Sequence, residues 1–140
     1  MEKDVKICIK GLHSVSGDES DITEEIIGTY YFKNGKHYVC FEKADEDSGN
    51  INKNTIKMQE NNIEIIKHGG MHLHFEKNKL NNTYYKTVMG NLLIEIDTKE
   101  IHLSEEDNMV NAMIKYAIYM EEEKVSDCIV EIKVLALESA

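Results

Sequence analysis

The chain contains no proline. Its turns must then be made by Gly, Asn and Asp, which reach left-handed backbone geometry or bond their own main chain. It has no apolar run near the ~20 residues that span a bilayer. The N-terminal Met1-Glu-Lys-Asp-Val-Lys is charged, where a signal peptide needs a continuous apolar stretch. The expected location is therefore the cytoplasm. Cysteine is scarce and unpatterned: Cys8, Cys40 and Cys128 are odd in number, widely spaced and form no CxxC pair. Neither a disulfide framework nor a zinc knuckle is expected from them. Free thiols, buried or half-buried in a reducing compartment, are.

Positive charge is also in short supply. Sixteen basic residues face 26 acidic ones, for a formal net charge of −10, and the basic residues form no run. Such a surface repels phosphate backbones and anionic headgroups, which argues against nucleic-acid and membrane partners. No GxSxG, HExxH, P-loop or GxGxxG motif occurs, so the sequence leans away from an enzyme.

What is present points to strands. At 140 residues, 41% of them hydrophobic, residues 1–140 are expected to form one domain whose core suffices without staples. Asn34-Gly35 between two β-rich runs is the strongest short hairpin signal. Ser48-Gly49-Asn50, Asn61-Asn62, Gly69-Gly70, Asn81-Asn82 and Gly90-Asn91 follow at short intervals. Between them the chain alternates with period two. Val5, Ile7 and Ile9 share a face, as do His37, Val39 and Phe41, and Met71, Leu73 and Phe75. Leu92, Ile94 and Ile96 repeat the pattern, and so do Cys128, Val130, Ile132 and Val134. Residues 109–123 read as a strand through Val110, Ala112, Ile114, Tyr116 and Ile118. They also read as a helix through Met109, Met113, Tyr116 and Met120. The strand is preferred because Tyr116, Ile118 and Tyr119 suit strands. Glu121-Glu122-Glu123 then becomes an exposed hairpin tip. About 8–10 strands of this kind predict an all-β antiparallel meander that curls into a closed or nearly closed barrel, since closure removes sticky edges.

The order of segments resembles the YwiB-like family of uncharacterised bacterial proteins, a domain of unknown function with a calycin- or lipocalin-like barrel. Gly28-Thr-Tyr-Tyr-Phe-Lys-Asn-Gly-Lys-His-Tyr-Val-Cys-Phe-Glu42 is similar to the family's early hairpin. Lys67-His-Gly-Gly-Met-His-Leu-His-Phe75 resembles its central basic-x-Gly segment and the strand that follows. Tyr85-Lys-Thr-Val-Met-Gly90, with Leu92 to Thr98, resembles its Tyr-x-Thr-x-x-Gly turn and next strand. Two departures stand out: Lys67 where relatives commonly carry Arg, and Val88 where many carry Pro. A Lys cannot make the forked contact of an Arg, which weakens an anion site at that position. The resemblance implies a fold and carries no established activity.

Several residues are candidates for chemistry. His72 and His74 leave the same face of a strand and could offer two imidazoles to a metal, with Glu76 or His68 completing the shell. An exposed polar face opposite Leu73 and Phe75 explains them more simply. Gly69-Gly70 beside Lys67 could form an anion nest, or a plain turn. Cys40 follows His37 by three residues but faces the other side of its strand, so no thiol–imidazole pair is expected. The acidic runs Asp45-Glu-Asp47, Glu105-Glu-Asp107 and Glu121-Glu-Glu123 read as solvated turns, the first lacking EF-hand spacing.

The functional expectation is a noncatalytic module whose barrel mouth or interior holds a small apolar or amphipathic ligand. Tyr30, Phe41, Lys67, Phe75, Tyr85 and Met89 are its candidate contacts. The alternative is a protein-interaction or scaffold protein, or a homodimer, working through the faces that carry Tyr31, Tyr38, Cys40 and Tyr84. No cofactor or metal is expected, because two imidazoles leave half of a tetrahedral zinc shell unfilled. Chelation should accordingly leave the melting temperature unchanged. A near-equimolar zinc in tag-free protein, lost in a His72→Ala, His74→Ala double mutant, would overturn this expectation.

Overall fold

Asn34 and Gly35 both take positive φ, 54° and 75°, the geometry of the two-residue loop whose twist matches paired strands. They join β2 (Asp18–Lys33) to β3 (Lys36–Ala44) in the computed structural model. It describes the backbone of residues 3–15, 18–44, 49–68, 72–87 and 90–137, and their side chains except at 12–15, 18–23 and 85–87. The same turn chemistry recurs at Asn61, Asn78 and Asn108, with φ of 63°, 62° and 66°. Asn reaches this region at lower cost than other side-chain-bearing residues. The exception is Glu121 and Glu122, at 51° and 66°, where two glutamates hold a strained hairpin tip.

The remaining strands are β1 (Lys3–Val15), β4 (Ile51–Gln59), β5 (Asn62–Lys67), β6 (His72–Glu76), β7 (Leu80–Thr87), β8 (Gly90–Glu106), β9 (Met109–Met120) and β10 (Glu123–Ala136). All pairings are antiparallel, and the spatial order is β6-β5-β4-β3-β2-β1-β10-β9-β8-β7. The expected all-β, nearly closed antiparallel barrel is what forms. Residues 109–120 are a strand, and no helix occurs among the described residues. The first and last strands zip together from Val5↔Ala136 to Ser14↔Asp127, so the remaining gap falls between β6 and β7. Those two strands make no ladder. Thr83 Oγ1 donates to the His72 carbonyl (2.8 Å) across the gap. The β6–β7 turn is held from the other side by Asn78 N–H to the Thr98 carbonyl (3.0 Å) and Thr98 N–H to the Lys79 carbonyl (3.2 Å).

Gly28 marks a close approach in the wall. A Cβ there would collide with the Cys40 carbonyl and press on Ile7 and Phe41. The β2–β3 ladder stops at Thr29↔Cys40, and the rest of β2 continues paired with β1 alone.

The inward faces meet in one apolar core. Ile7, Val39, Ile56, Met58, Ile63, Phe75, Ile96, Ile114 and Ile132 are all at most 2% exposed. The Phe75 ring meets Tyr116 at 4.8 Å between centroids. Leu73 packs partly buried against this cluster, while His72 is exposed and His74 and Glu76 are half-buried on the outer face. The sequence register is therefore the observed one. The three cysteines are thiols and form no disulfide, with Cys128 buried and Cys8 and Cys40 half-buried. No helix among the described residues is long and apolar enough to cross a membrane. Phe75→Ala should cost about 3–5 kcal/mol in urea melts, whereas exposed His72→Ala should stay within about 0.5 kcal/mol. The reverse ranking would indicate a register shifted by one residue.

Candidate functional site

One end of the barrel carries a polar layer that the strand register turns inward. Tyr30 lies opposite Val39 and Lys3 lies opposite Tyr30, so both follow the core-facing parity of Val5 and Val39. His37 is two residues before Val39 on the same face and only 4% exposed. Glu105 pairs with buried Val110, which gives it the inner face of β8. These four side chains join in a chain. The Lys3 ammonium sits 5.7 Å from the Tyr30 ring centroid. Tyr30 Oη lies 2.7 Å from His37 Nδ1, and His37 Nε2 lies 2.5 Å from Glu105 Oε1.

The protonation pattern follows from the partners. An ionised carboxylate only accepts, so His37 Nε2–H donates to Glu105. Nδ1 of the neutral ring then accepts from the Tyr30 hydroxyl. Burial pushes the His37 pKa below the usual histidine value, against an opposing pull from the Glu105 charge. Burial first, and the Glu105 charge second, raise the Tyr30 pKa. A tyrosine held more firmly protonated is not an activated nucleophile. The array therefore works as a hydrogen-bonded plug with a neutral imidazole at its centre.

Two open recesses flank the plug. The first, about 500 Å³, is bordered by Lys3, Tyr30 and the acidic run Glu105, Glu106 and Asp107, over a floor that includes Val5, Val110 and Val134. The second, about 560 Å³, lies on the far side of Glu105 among His37, Glu60, Asn61, Lys77, Ile101 and Leu103.

The structure does not gather the sequence-predicted contacts into one site. Tyr30 is at this mouth. Phe41 and Phe75 are core residues, 8% and 1% exposed. Lys67 is exposed at the end of β5, opposite Asn54 and toward the other end of the barrel. Met89 and the Tyr85 side chain lie outside the described residues, as do Gly69-Gly70, Met71, Val88, Ser48 and Asp45-Glu46-Asp47. His37 and Glu105 were missed as site residues. The available signal was a histidine in an inward-facing triplet with Val39 and Phe41.

The other candidates resolve as surface networks. On the outer face of β5 and β6, Glu64 lies between the two histidines, 3.2 Å from His72 Nε2 and 3.7 Å from His74 Nε2. His74 Nε2 also meets Asn62 Oδ1 at 2.8 Å. Glu64 is a neighbour that sequence spacing alone does not reveal. Among the described residues no three or more His, Cys, Asp or Glu side chains form a group suited to a metal ion. Cys40 Sγ contacts Thr55 Oγ1 at 3.9 Å, and that hydroxyl lies 3.2 Å from His68 Nε2, so the thiol reaches an imidazole only through Thr55.

The His37 environment has a consequence for stability. A folded-state pKa below the unfolded one means that the unfolded chain binds the proton more readily. Stability contributed by neutral His37 is complete above the ordinary histidine pKa of about 6.5 and drains away as pH falls below it. The urea midpoint should therefore drop between neutral and mildly acid pH more steeply in the wild type than in His37→Gln. Parallel profiles would show that the imidazole does not titrate on unfolding.

Comparison with known proteins places this architecture. The chain is similar to a solved structure described as the crystal structure of ywiB protein from Bacillus subtilis. The TM-score is 0.84 at 20% identity, covering 98% of this chain and 94% of that one. At that identity the likeness speaks to the fold alone. No curated protein matches the chain. Residues 7–132 match the family described as Domain of unknown function (DUF1934), and the chain belongs to that family.

Proposed function

We propose that this protein is a noncatalytic module that binds a small amphipathic ligand at the barrel mouth rather than inside the barrel. The observation behind this reading is the contrast between a filled interior and an open, chemically mixed rim. Phe75, Met58, Ile56, Ile114 and their neighbours occupy the centre, which turns attention to the surface recesses. Two of about 490 and 530 Å³ lie on the outer wall, but the inward-facing tyrosine–histidine–glutamate array is at the mouth. The two recesses beside the plug, about 500 and 560 Å³, fall within the ~300–1,000 Å³ range of small-molecule sites. Convergent polar groups beside a few half-buried apolar side chains, here Met109, Ala136 and Leu103, together with a shifted histidine, suit an amphipathic guest. A tyrosine hydroxyl held more firmly protonated, hydrogen-bonded imidazoles and a thiol screened by a hydroxyl argue for holding rather than transforming the guest.

The scaffold reading rests on a different face. Tyr84 is 64% exposed and Leu93 42%, and the two are paired across β7 and β8, which suits a contact surface. The stacked Tyr31–Tyr38 pair, 4.8 Å between centroids, supports it less, because these rings already satisfy one another.

Native mass spectrometry of protein purified from its own cells separates the two. A retained small mass that is lost when the mouth is altered by Met109→Asp, at a half-buried lining position, supports the ligand reading. A ligand-free dimer that Tyr84→Asp dissociates supports the scaffold reading and sets the first aside.

A further inference from the structure

We infer that the recess beside Tyr30 selects a small organic cation, an alkylammonium group carrying a short apolar tail. This rests on the ligand-binding reading of the same mouth and narrows it to one chemical class. Three features of the recess converge. Its aromatic wall already carries a cation, since the Lys3 ammonium stands 5.7 Å from the Tyr30 centroid. Ammonium groups are drawn to the negative face of an aromatic ring within about 6 Å. Its rim brings together Glu105, Glu106 and Asp107, three carboxylates against the single ammonium of Lys3, so an anionic guest meets net repulsion. Its edge, where half-buried Met109 and Ala136 lie beside the buried Val5, Val110 and Val134, offers a short apolar strip to a hydrocarbon tail.

Lys3 is then a tethered occupant rather than a fixed part of the wall. It is exposed at the start of β1, and its Nζ rests on a ring whose hydroxyl is committed to His37. The ring also lies beside the His37 ring, 5.8 Å between centroids, so the aromatic surface is packed in place before any guest arrives. A free alkylammonium would take the place of the Lys3 head over the ring, while Glu106 and Asp107 supply the counter-charge. Lys3 can turn out to solvent without breaking the Tyr30–His37–Glu105 chain. Glu105 is engaged by His37, which leaves Glu106 and Asp107 as the carboxylates that discriminate by charge.

The test uses three probes of one length and different heads: n-hexylammonium, n-hexanol and n-hexanoate, titrated into the full chain and followed by amide chemical shifts. Hexylammonium should move the signals of Lys3, Tyr30 and Met109 and bind more tightly than the other two. Glu106→Gln with Asp107→Asn should weaken it about five- to tenfold. Lys3→Met should tighten it by removing the internal competitor. Tyr30→Phe, which keeps the ring face, should retain binding that Tyr30→Leu loses. Hexanol or hexanoate binding at these signals as tightly as hexylammonium would overturn the cation assignment and leave the mouth-binding reading standing. Hexylammonium indifferent to the charge variants, or silent at these signals, would also overturn it. The mouth-binding reading fails separately, if native mass spectrometry finds no retained small molecule.

Discussion

His37 and Glu105 join the two strands that stand furthest apart in the ring. From β3 to β8 four strands intervene by way of β2, β1, β10 and β9, and four by way of β4, β5, β6 and β7. A bond between their inward side chains, 2.5 Å long, therefore crosses the whole width of the barrel at one end. It lays a polar layer over that end of the apolar interior. A buried imidazole is costly unless both nitrogens are satisfied. Tyr30 satisfies one and Glu105 the other, so the imidazole depends on both, while the Glu105 side chain is 59% exposed and open to water. Removing either partner leaves a nitrogen of the buried ring unsatisfied, which costs more than the bond itself contributes.

Everything beneath that layer follows from packing. Large β-branched and aromatic side chains point inward from most of the strands and fill the section between the walls. A barrel of this size has room for side chains or for one small ligand, and here the side chains take it. Phe41 and Phe75, read from the sequence as ligand contacts, are part of that filling. Chemistry is displaced to the rim, where the strands end and Lys3, Tyr30, His37 and Glu105 replace the apolar residues of the layer below. Buried groups at the other end have a different character. Burial raises the pKa of both Tyr116 and Cys128, and Ser126 Oγ lies 3.0 Å from Cys128 Sγ. These groups are buried, hydrogen-bonded members of the core, held toward their neutral forms.

Much of the barrel was legible in the sequence because period-two alternation reports which face of a strand is dry. His37, Val39 and Phe41 were read as one face, and all three are buried. The 109–120 segment was resolved by Tyr and Ile in favour of a strand. Alternation reports a face but not a partner. Nothing local to His37 announces Glu105, which is distant in sequence and sits in an acidic run that reads as a solvated turn. Glu64 was hidden from His72 and His74 for the same reason: cross-strand neighbours depend on register, and register is set by the whole sheet. The first half of β2 was also missed. Asp18–Glu25 is acid-rich and carries little apolar alternation, and it is a strand because β1 pairs with it along its length.

The absence of proline bears on how the gap between β6 and β7 is managed. Open sheet edges are commonly blunted with proline, charge, bulges or a covering segment. This chain lacks the first device and uses the others. β6 is only five residues long, which limits the edge that a second chain could extend. Lys77 and Lys79 stand exposed at its turn, and the register of β8 against β9 shifts between Thr98 and Glu100, where the β6–β7 turn docks on Thr98. The two edges then face one another across the Thr83–His72 bond, so each covers the other. Because β1 and β10 bring the ends of the chain together in a full ladder, the weakest junction of the ring falls between two strands joined by a short turn. Closure at that seam is local in sequence, and the loop-closure entropy that opposes it is small.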